Sequence, residues 1–266
     1  MKKVLLFIAM MVSMTSFAQK KLVLYFSESG STKAVAEELQ KQLGADIESI
    51  LPEVPYSGNF QETMQRNQRE TQSGTLPKIK PIKAKIADYD IIFLGYPIWG
   101  GTYASPIASL LKEQDFADKK VVPFCTFGSG GLNTSTDALK KALPKANIQA
   151  GYGVRAARVA SAAKELDRFL KENGYKKGSV KPLPAYSEQK PVTVGEMAIF
   201  EAACSSYQFP LGTPETCGKR ITDDSIDYEF KVKSQGFGGG GAQTSTIYVT
   251  MGKEEGAKPE FTQVVR

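Results

Sequence analysis

The sequence predicts an α/β fold, a doubly wound parallel sheet, followed by a small C-terminal α+β domain. Between residues 21 and 174, short apolar runs alternate with helical patterns. Two of those runs, Ile91-Ile92-Phe93-Leu94 and Val121-Val122-Pro123-Phe124, are apolar at successive positions, as strands covered on both faces are. After Gly174 the alternation stops, and one helical pattern leads into a series of alternating segments, which is an antiparallel plan.

Residues 1–18 read as a signal peptide. Lys2 and Lys3 precede the apolar run Val4–Val12, which is too short to span a bilayer, and Ser16-Phe17-Ala18 supplies small residues before a cut. The expected product is exported, periplasmic or extracellular, and soluble, with no membrane span. The first strand is Lys21–Phe26, and the helix after it carries Leu39 and Leu43, with Ser31 as its expected cap and Gly44 as its end. Further strands are expected at Ile47–Ile50, Ile91–Gly95, Val121–Thr126 and Ile148–Val154. A helical stretch is expected at Tyr56–Glu70. Ser105 caps another helix with Pro106 in its first turn, Asn133 or Ser135 caps the next before Pro144, and Ser161 caps a last one through Leu166 and Leu170 to Gly174.

The first domain is therefore placed at 19–175, a Lys-, Pro- and Ser-rich linker at 176–190, and the small domain at 191–266. The small domain is expected to hold a helix at Val194–Ser205 and strands at Thr216–Thr222, Tyr228–Ser234, Thr246–Met251 and Phe261–Arg266. Gly236–Gly241 reads as a flexible connection.

Composition excludes several chemistries. The chain has no histidine, which removes His-dependent triads, His-ligated zinc and imidazole general bases. Residues 19–184 hold 24 basic and 17 acidic side chains, net +7, whereas residues 185–266 hold 8 and 11, net −3. The basic residues are scattered and form no nucleic-acid motif, so no nucleic-acid partner is expected. Cys204 and Cys217 lie 13 positions apart and are expected to form a structural disulfide in an oxidising compartment, with a redox dithiol as the alternative. Cys125, at the end of a buried strand, reads as an inert packed thiol.

The site is expected at the carboxyl edge of the parallel sheet, where three loops meet. The first contains Ser27, Ser29, Gly30, Ser31 and Thr32 between a strand and a helix. Hydroxyls and first-turn amides there form a cradle for a phosphate. It is neither a Walker loop, which needs Gly-Lys-Ser/Thr at its end, nor the three-glycine dinucleotide fingerprint. The second is Tyr96-Pro97-Ile98-Trp99-Gly100-Gly101-Thr102-Tyr103, and the third is Thr126-Phe127-Gly128-Ser129-Gly130-Gly131-Leu132. An aromatic platform beside close-approaching backbone suits a flat heterocycle.

On the motifs Ser27-Glu-Ser-Gly-Ser-Thr32, Gly95-Tyr-Pro-Ile-Trp99 and Pro123-Phe-Cys-Thr-Phe-Gly-Ser-Gly-Gly131, residues 21–174 resemble the flavodoxin-like family, and Tyr56–Glu70 resembles the insert of an exported-type subgroup. The resemblance implies a doubly wound five-stranded parallel sheet of order 2-1-3-4-5 that binds FMN noncovalently. Ser27, Ser29, Gly30, Ser31 and Thr32 would hold its phosphate. Pro97, Ile98, Trp99 and Gly100 would lie along the isoalloxazine, and Thr126, Phe127, Gly128 and Gly130 would close its other side. Members of the subgroup often carry a second bulky residue where this chain has Gly100.

The implied role is electron transfer to a redox partner protein or a small electron acceptor, or flavin-dependent reduction of the quinone or NAD(P)H type. A non-catalytic interaction module on the same scaffold is the alternative. Electron-carrying flavodoxins are usually acidic, whereas the net positive domain here favours a reduced, anionic flavin and a higher potential. The tail faintly resembles cystatin-like domains but lacks their Gln-Val-Val-Ala-Gly inhibitory loop, so protease inhibition is not carried over. It is expected to be dispensable for holding the cofactor.

Overall fold

The computed structural model describes residues 19–235 and 242–266. The expected signal peptide and the Gly236–Gly241 connection lie outside the described residues.

The parallel sheet is built by strands that are apolar on both faces. In β1 (Lys21–Tyr25) and β3 (Ile91–Trp99), Leu22, Leu24, Ile92, Leu94 and Tyr96 pack on one side, while Val23, Tyr25, Ile91 and Phe93 pack on the other. The first face is covered by α3 (Ser105–Glu113) and α4 (Leu132–Ala142), through Leu110 and Leu139. The second is covered by α1 (Ser31–Leu43) and α5 (Ala162–Glu172), through Val35, Leu39, Leu166 and Leu170. Strand period two thus feeds two helical layers.

With β2 (Asp46–Ser49), β5 (Lys120–Phe127), β6 (Asn147–Ile148) and β7 (Tyr152–Arg155), the order is β2-β1-β3-β5 with β6 and β7 both on β5. All of these pairings are parallel. The fifth strand position is divided, because backbone pairing lapses around Ala150 and Gly151. The remaining element on this sheet is β4 (Thr102–Tyr103), a short antiparallel return on β3.

Several element limits differ from the sequence reading. β3 runs four residues past Gly95, because Tyr96 and Pro97 continue the ladder with Cys125 and Thr126. The second loop therefore shrinks to Gly100-Gly101. Trp99 pairs with Thr102 across those two glycines, whose φ values are 59° and 85°, the positive pair of a tight primed hairpin turn. The insert helix α2 is Phe60–Ser73, not Tyr56–Glu70. Gly58 turns the chain at φ 76°, and Asn59 caps the helix by accepting from the Glu62 amide at 3.1 Å. Three of the four expected caps are displaced, and Ser161 alone keeps its cap position. Gly30, Ala104 and Gly131 hold the cap positions of α1, α3 and α4, and Ser161 stands before α5 without a side-chain cap bond.

The C-terminal sheet is antiparallel, of order β12-β11-β10-β9-β8. Its strands are β8 (Lys190–Pro191), β9 (Thr213–Ile221), β10 (Ser225–Gln235), β11 (Ala242–Gly252) and β12 (Glu260–Val265). Helix α6 (Val194–Cys204) covers it with Phe200, and Thr193 and Glu196 form a reciprocal capping box at its start. Phe261 and Val264, three apart, both face the core because a bulge at Thr262 shifts the register.

The expected Cys204–Cys217 disulfide is absent, and both are free thiols. Cys217 lies opposite Lys190, ahead of α6, whereas Cys204 closes α6.

The C-terminal sheet also touches the parallel one. Val264 of β12 donates its amide to the Ser129 carbonyl at 2.6 Å. The tail, expected to be dispensable for holding the cofactor, thus reaches the third loop.

Candidate functional site: three loops at the carboxyl edge of the parallel sheet

The first loop leaves β1 and enters α1 through Gly30, at φ 89°, with no side chain capping the helix. The first-turn amides of Ser31, Thr32 and Lys33 are thus left without a side-chain acceptor, and the helix dipole adds positive character there. Ser29 and Ser31 hydroxyls stand 3.3 Å apart at the surface. The Ser27 hydroxyl is buried and has no hydrogen-bond partner within the protein. A buried hydroxyl without a partner is costly, so a group that completes it is expected.

Thr32 lies deeper than the sequence reading placed it. It is 1% exposed, and its hydroxyl meets that of Thr126 at 2.8 Å. It ties the first loop to the end of β5. On the flank, the Glu28 carboxylate accepts from the Gly58 amide at 3.1 Å and joins the first loop to the approach to α2.

In the second loop, Trp99 is only 7% exposed. Its ring meets Phe26 edge-on at 5.4 Å and Tyr56 at 5.0 Å. Tyr56 is held in turn by the Glu70 carboxylate at 2.7 Å, by Ser105 at 2.9 Å, and beneath the Arg66 guanidinium at 4.0 Å. Glu70 also accepts from Arg66 at 2.7 Å. Burial, countered in part by the Ser105 hydrogen bond, pushes the Tyr56 phenol above its ordinary range, so it stays a neutral donor. The surface left at this loop is half-buried Pro97 and Ile98 with the open Gly100 backbone.

In the third loop, Thr126 and Phe127 are buried, while Gly128 is exposed and Gly130 half-buried. Arg155, at the end of β7, donates Nε to the Gly128 carbonyl at 2.7 Å and Nη1 to the Phe261 carbonyl at 3.1 Å. Its guanidinium lies 4.1 Å from the Phe261 ring centre. A Cβ placed on Gly130 would come within 2.3 Å of the Val264 carbonyl oxygen, so this close approach of two backbones admits only glycine. A groove between α4 and the β6–β7 connection is lined by Leu132, Thr136, Lys140 and Gln149, and none of its lining residues belongs to the first or second loop.

The structure thus brings all three predicted loops to one edge, linked by Thr32–Thr126 and by the β3–β5 ladder. The flavodoxin family profile matches residues 20–171, more than half of the chain. The chain belongs to the flavodoxin family. Among solved structures, a candidate flavoprotein from Bacteroides uniformis aligns at 26% identity and TM-score 0.51, covering 57% of this chain and 99% of its own. A candidate flavoprotein from Bacteroides eggerthii aligns at 30% identity and TM-score 0.48, covering 56% and 99%. A flavoprotein from Lactobacillus acidophilus, solved in complex with FMN, aligns at 23% identity and TM-score 0.47, covering 55% and 99%. No curated protein matches the chain.

In this flavodoxin-family chain, the profile match ends before the C-terminal sheet begins. Sequence reasoning missed Arg155 and the Tyr56–Glu70–Ser105 group behind Trp99. The signal for Arg155 was available: Gly153-Val-Arg-Ala-Ala-Arg158 places two arginines where an apolar strand ends. Both are about nine-tenths buried, and Arg158 is paired with Glu165 at 2.7 Å and Glu260 at 2.8 Å.

Proposed function

We propose that this chain is an exported FMN-binding flavodoxin-family protein that passes electrons to a redox partner protein or a small acceptor such as a quinone. One observation carries the cofactor reading. The buried, unpartnered Ser27 hydroxyl lies next to a helix start that no side chain caps, a donor set that a phosphate dianion would complete. In this reading Ser27, Ser29 and Ser31 with the first-turn amides hold the phosphate. Thr32 fixes the loop from behind through Thr126. Ile98, Gly100 and the backbone at Gly128–Gly130 border the ring.

When bound, FMN supplies the one- and two-electron chemistry, and the protein supplies binding, orientation and field. Tyr96, fully buried and donating to Ser135 at 3.2 Å, ties the end of β3 to α4. With no histidine in the chain, no imidazole delivers a proton to the site.

The test is an absorption spectrum of purified protein after FMN add-back and gel filtration, with riboflavin in parallel. Retention of flavin absorbance with FMN and weak retention with riboflavin supports the reading. Retention of neither overturns it. A second reading, a non-catalytic interaction module, is favoured by the Trp99 ring being packed against Phe26 and Tyr56 and by Gly100 at the following position. It leaves the ring site without an open aromatic face, and it predicts a colourless protein after add-back.

A further inference from the structure

We propose that Arg155 is a positioning residue that, together with β12, pins the 128–130 loop, so that the C-terminal sheet forms a working wall of the cofactor site. The cofactor half of this proposal rests on the functional reading above. The mechanical half stands on geometry alone.

Three contacts meet at one loop, two of them from Val264. Arg155 donates to the Gly128 carbonyl at 2.7 Å, and Val264 donates to the Ser129 carbonyl at 2.6 Å. The Gly130 backbone lies against the Val264 carbonyl, with no room for a side chain. The far side of the same loop is closed, because a Cβ on Gly131 would come within 2.7 Å of the Ile98 side chain. The loop is thus clamped between β12 and the end of β3.

Arg155 belongs to the clamp on both sides. One guanidinium nitrogen serves the loop and another serves Phe261 of β12, and the charge lies over the Phe261 ring with Tyr207 at 5.6 Å. A planar fork satisfies two carbonyls at fixed separation, which a lysine ammonium does not reproduce. Arg158 reinforces the same junction by bridging Glu165 of α5 to Glu260 of β12. Holding a Gly-Ser-Gly-Gly loop in one conformation removes an ordering cost that ligand binding would otherwise carry. The profile match stops at residue 171, so the flavodoxin part alone contains the loop but not β12.

The experiment uses the full chain with Arg155→Met, which keeps the stem and removes both donors, and Val264→Pro. β12 is an edge strand and the Val264 amide points away from the ladder, so proline there removes that donor without breaking a strand pair. Hydrogen exchange without flavin reads the clamp at its donor: in Arg155→Met the Val264 amide, which donates to the Ser129 carbonyl, is expected to exchange at least about tenfold faster, as weakening of that hydrogen bond implies, with β1, β3 and β10 unchanged. Titration reads the cofactor half: FMN and riboflavin should both weaken by about tenfold, because the loop borders the ring and not the phosphate, and Arg155→Lys should fall between.

Unchanged exchange of the Val264 amide in Arg155→Met overturns the clamp. Faster exchange with unchanged flavin affinity overturns the role of the clamp in binding. A wild-type chain that takes up neither flavin overturns the functional reading and the cofactor half with it, and exchange alone then decides the clamp.

Discussion

The hydroxyls of Thr32 and Thr126 meet at 2.8 Å although 94 residues separate them, and both side chains are almost fully buried. The pair closes the back of the site by joining the start of α1 to the end of β5. Thr32→Val is expected to destabilise the protein by about 1–3 kcal/mol, because it leaves the Thr126 hydroxyl buried without its partner. Thr32→Val with Thr126→Val should recover part of that loss. Chemical denaturation of the four proteins of this cycle measures the coupling, and additive losses would remove the pair from the account.

Ser27→Ala separates stability from binding. The Ser27 hydroxyl has no protein partner, so its removal is expected to leave flavin-free stability unchanged or slightly higher. FMN affinity is expected to fall by about 1.5–3 kcal/mol, the range of a charge-assisted hydrogen bond, while riboflavin affinity stays constant. Calorimetric titration with both ligands checks this. An equal loss for both would move the phosphate elsewhere.

Trp99 is the one tryptophan in the chain, so its emission reports a single place. Buried between Phe26 and Tyr56, it should emit as an indole shielded from water and resist iodide quenching. Trp99→Ala is expected to cost about 3–5 kcal/mol of stability through the cavity it leaves. FMN should quench the emission by proximity of the second loop. Solvent-exposed emission in the flavin-free protein would contradict the packing.

Burial pushes the Cys204 and Cys217 thiols up to about 12. Their folded pKa values lie above the ordinary thiol range. Their contribution to stability is therefore intact below that range and is lost as pH rises toward about 12. The denaturation midpoint should fall between pH 9 and pH 11, and Cys204→Ser should flatten part of that fall. Reductant should leave the melting temperature unchanged at pH 7, since the thiols are already free. A mass two hydrogen atoms lighter in non-reduced protein would instead report the disulfide.

Strand positions were legible because buried parallel strands are written as unbroken apolar runs, as at Ile91–Leu94 and Val121–Phe124. The antiparallel tail was legible because Tyr228, Phe230 and Val232 alternate with polar residues. The continuation of β3 through Tyr96 and Pro97 was hidden by Gly95 and Pro97, which read locally as a break. Helix starts were misplaced where glycine or alanine holds the cap and serine falls one residue inside. The three loops could be gathered from topology, since they follow successive strands on one edge. The orientation of Trp99 could not, because it depends on Phe26 and Tyr56, which approach it from other elements. The Arg155 clamp depends on β12, which carries no sequence mark of a partner more than a hundred residues earlier.

The Ser129–Val264 hydrogen bond couples two equilibria as well as two elements. If docking of β12 strengthens the hold of the third loop on a ligand, thermodynamic reciprocity requires the ligand to strengthen the docking of β12 by the same factor. A molecule recognising only the C-terminal sheet would then raise or lower cofactor affinity without approaching the site. Release of cofactor would in turn be felt on the far sheet as a loosened joint, making the tail a reporter of whether the site is filled.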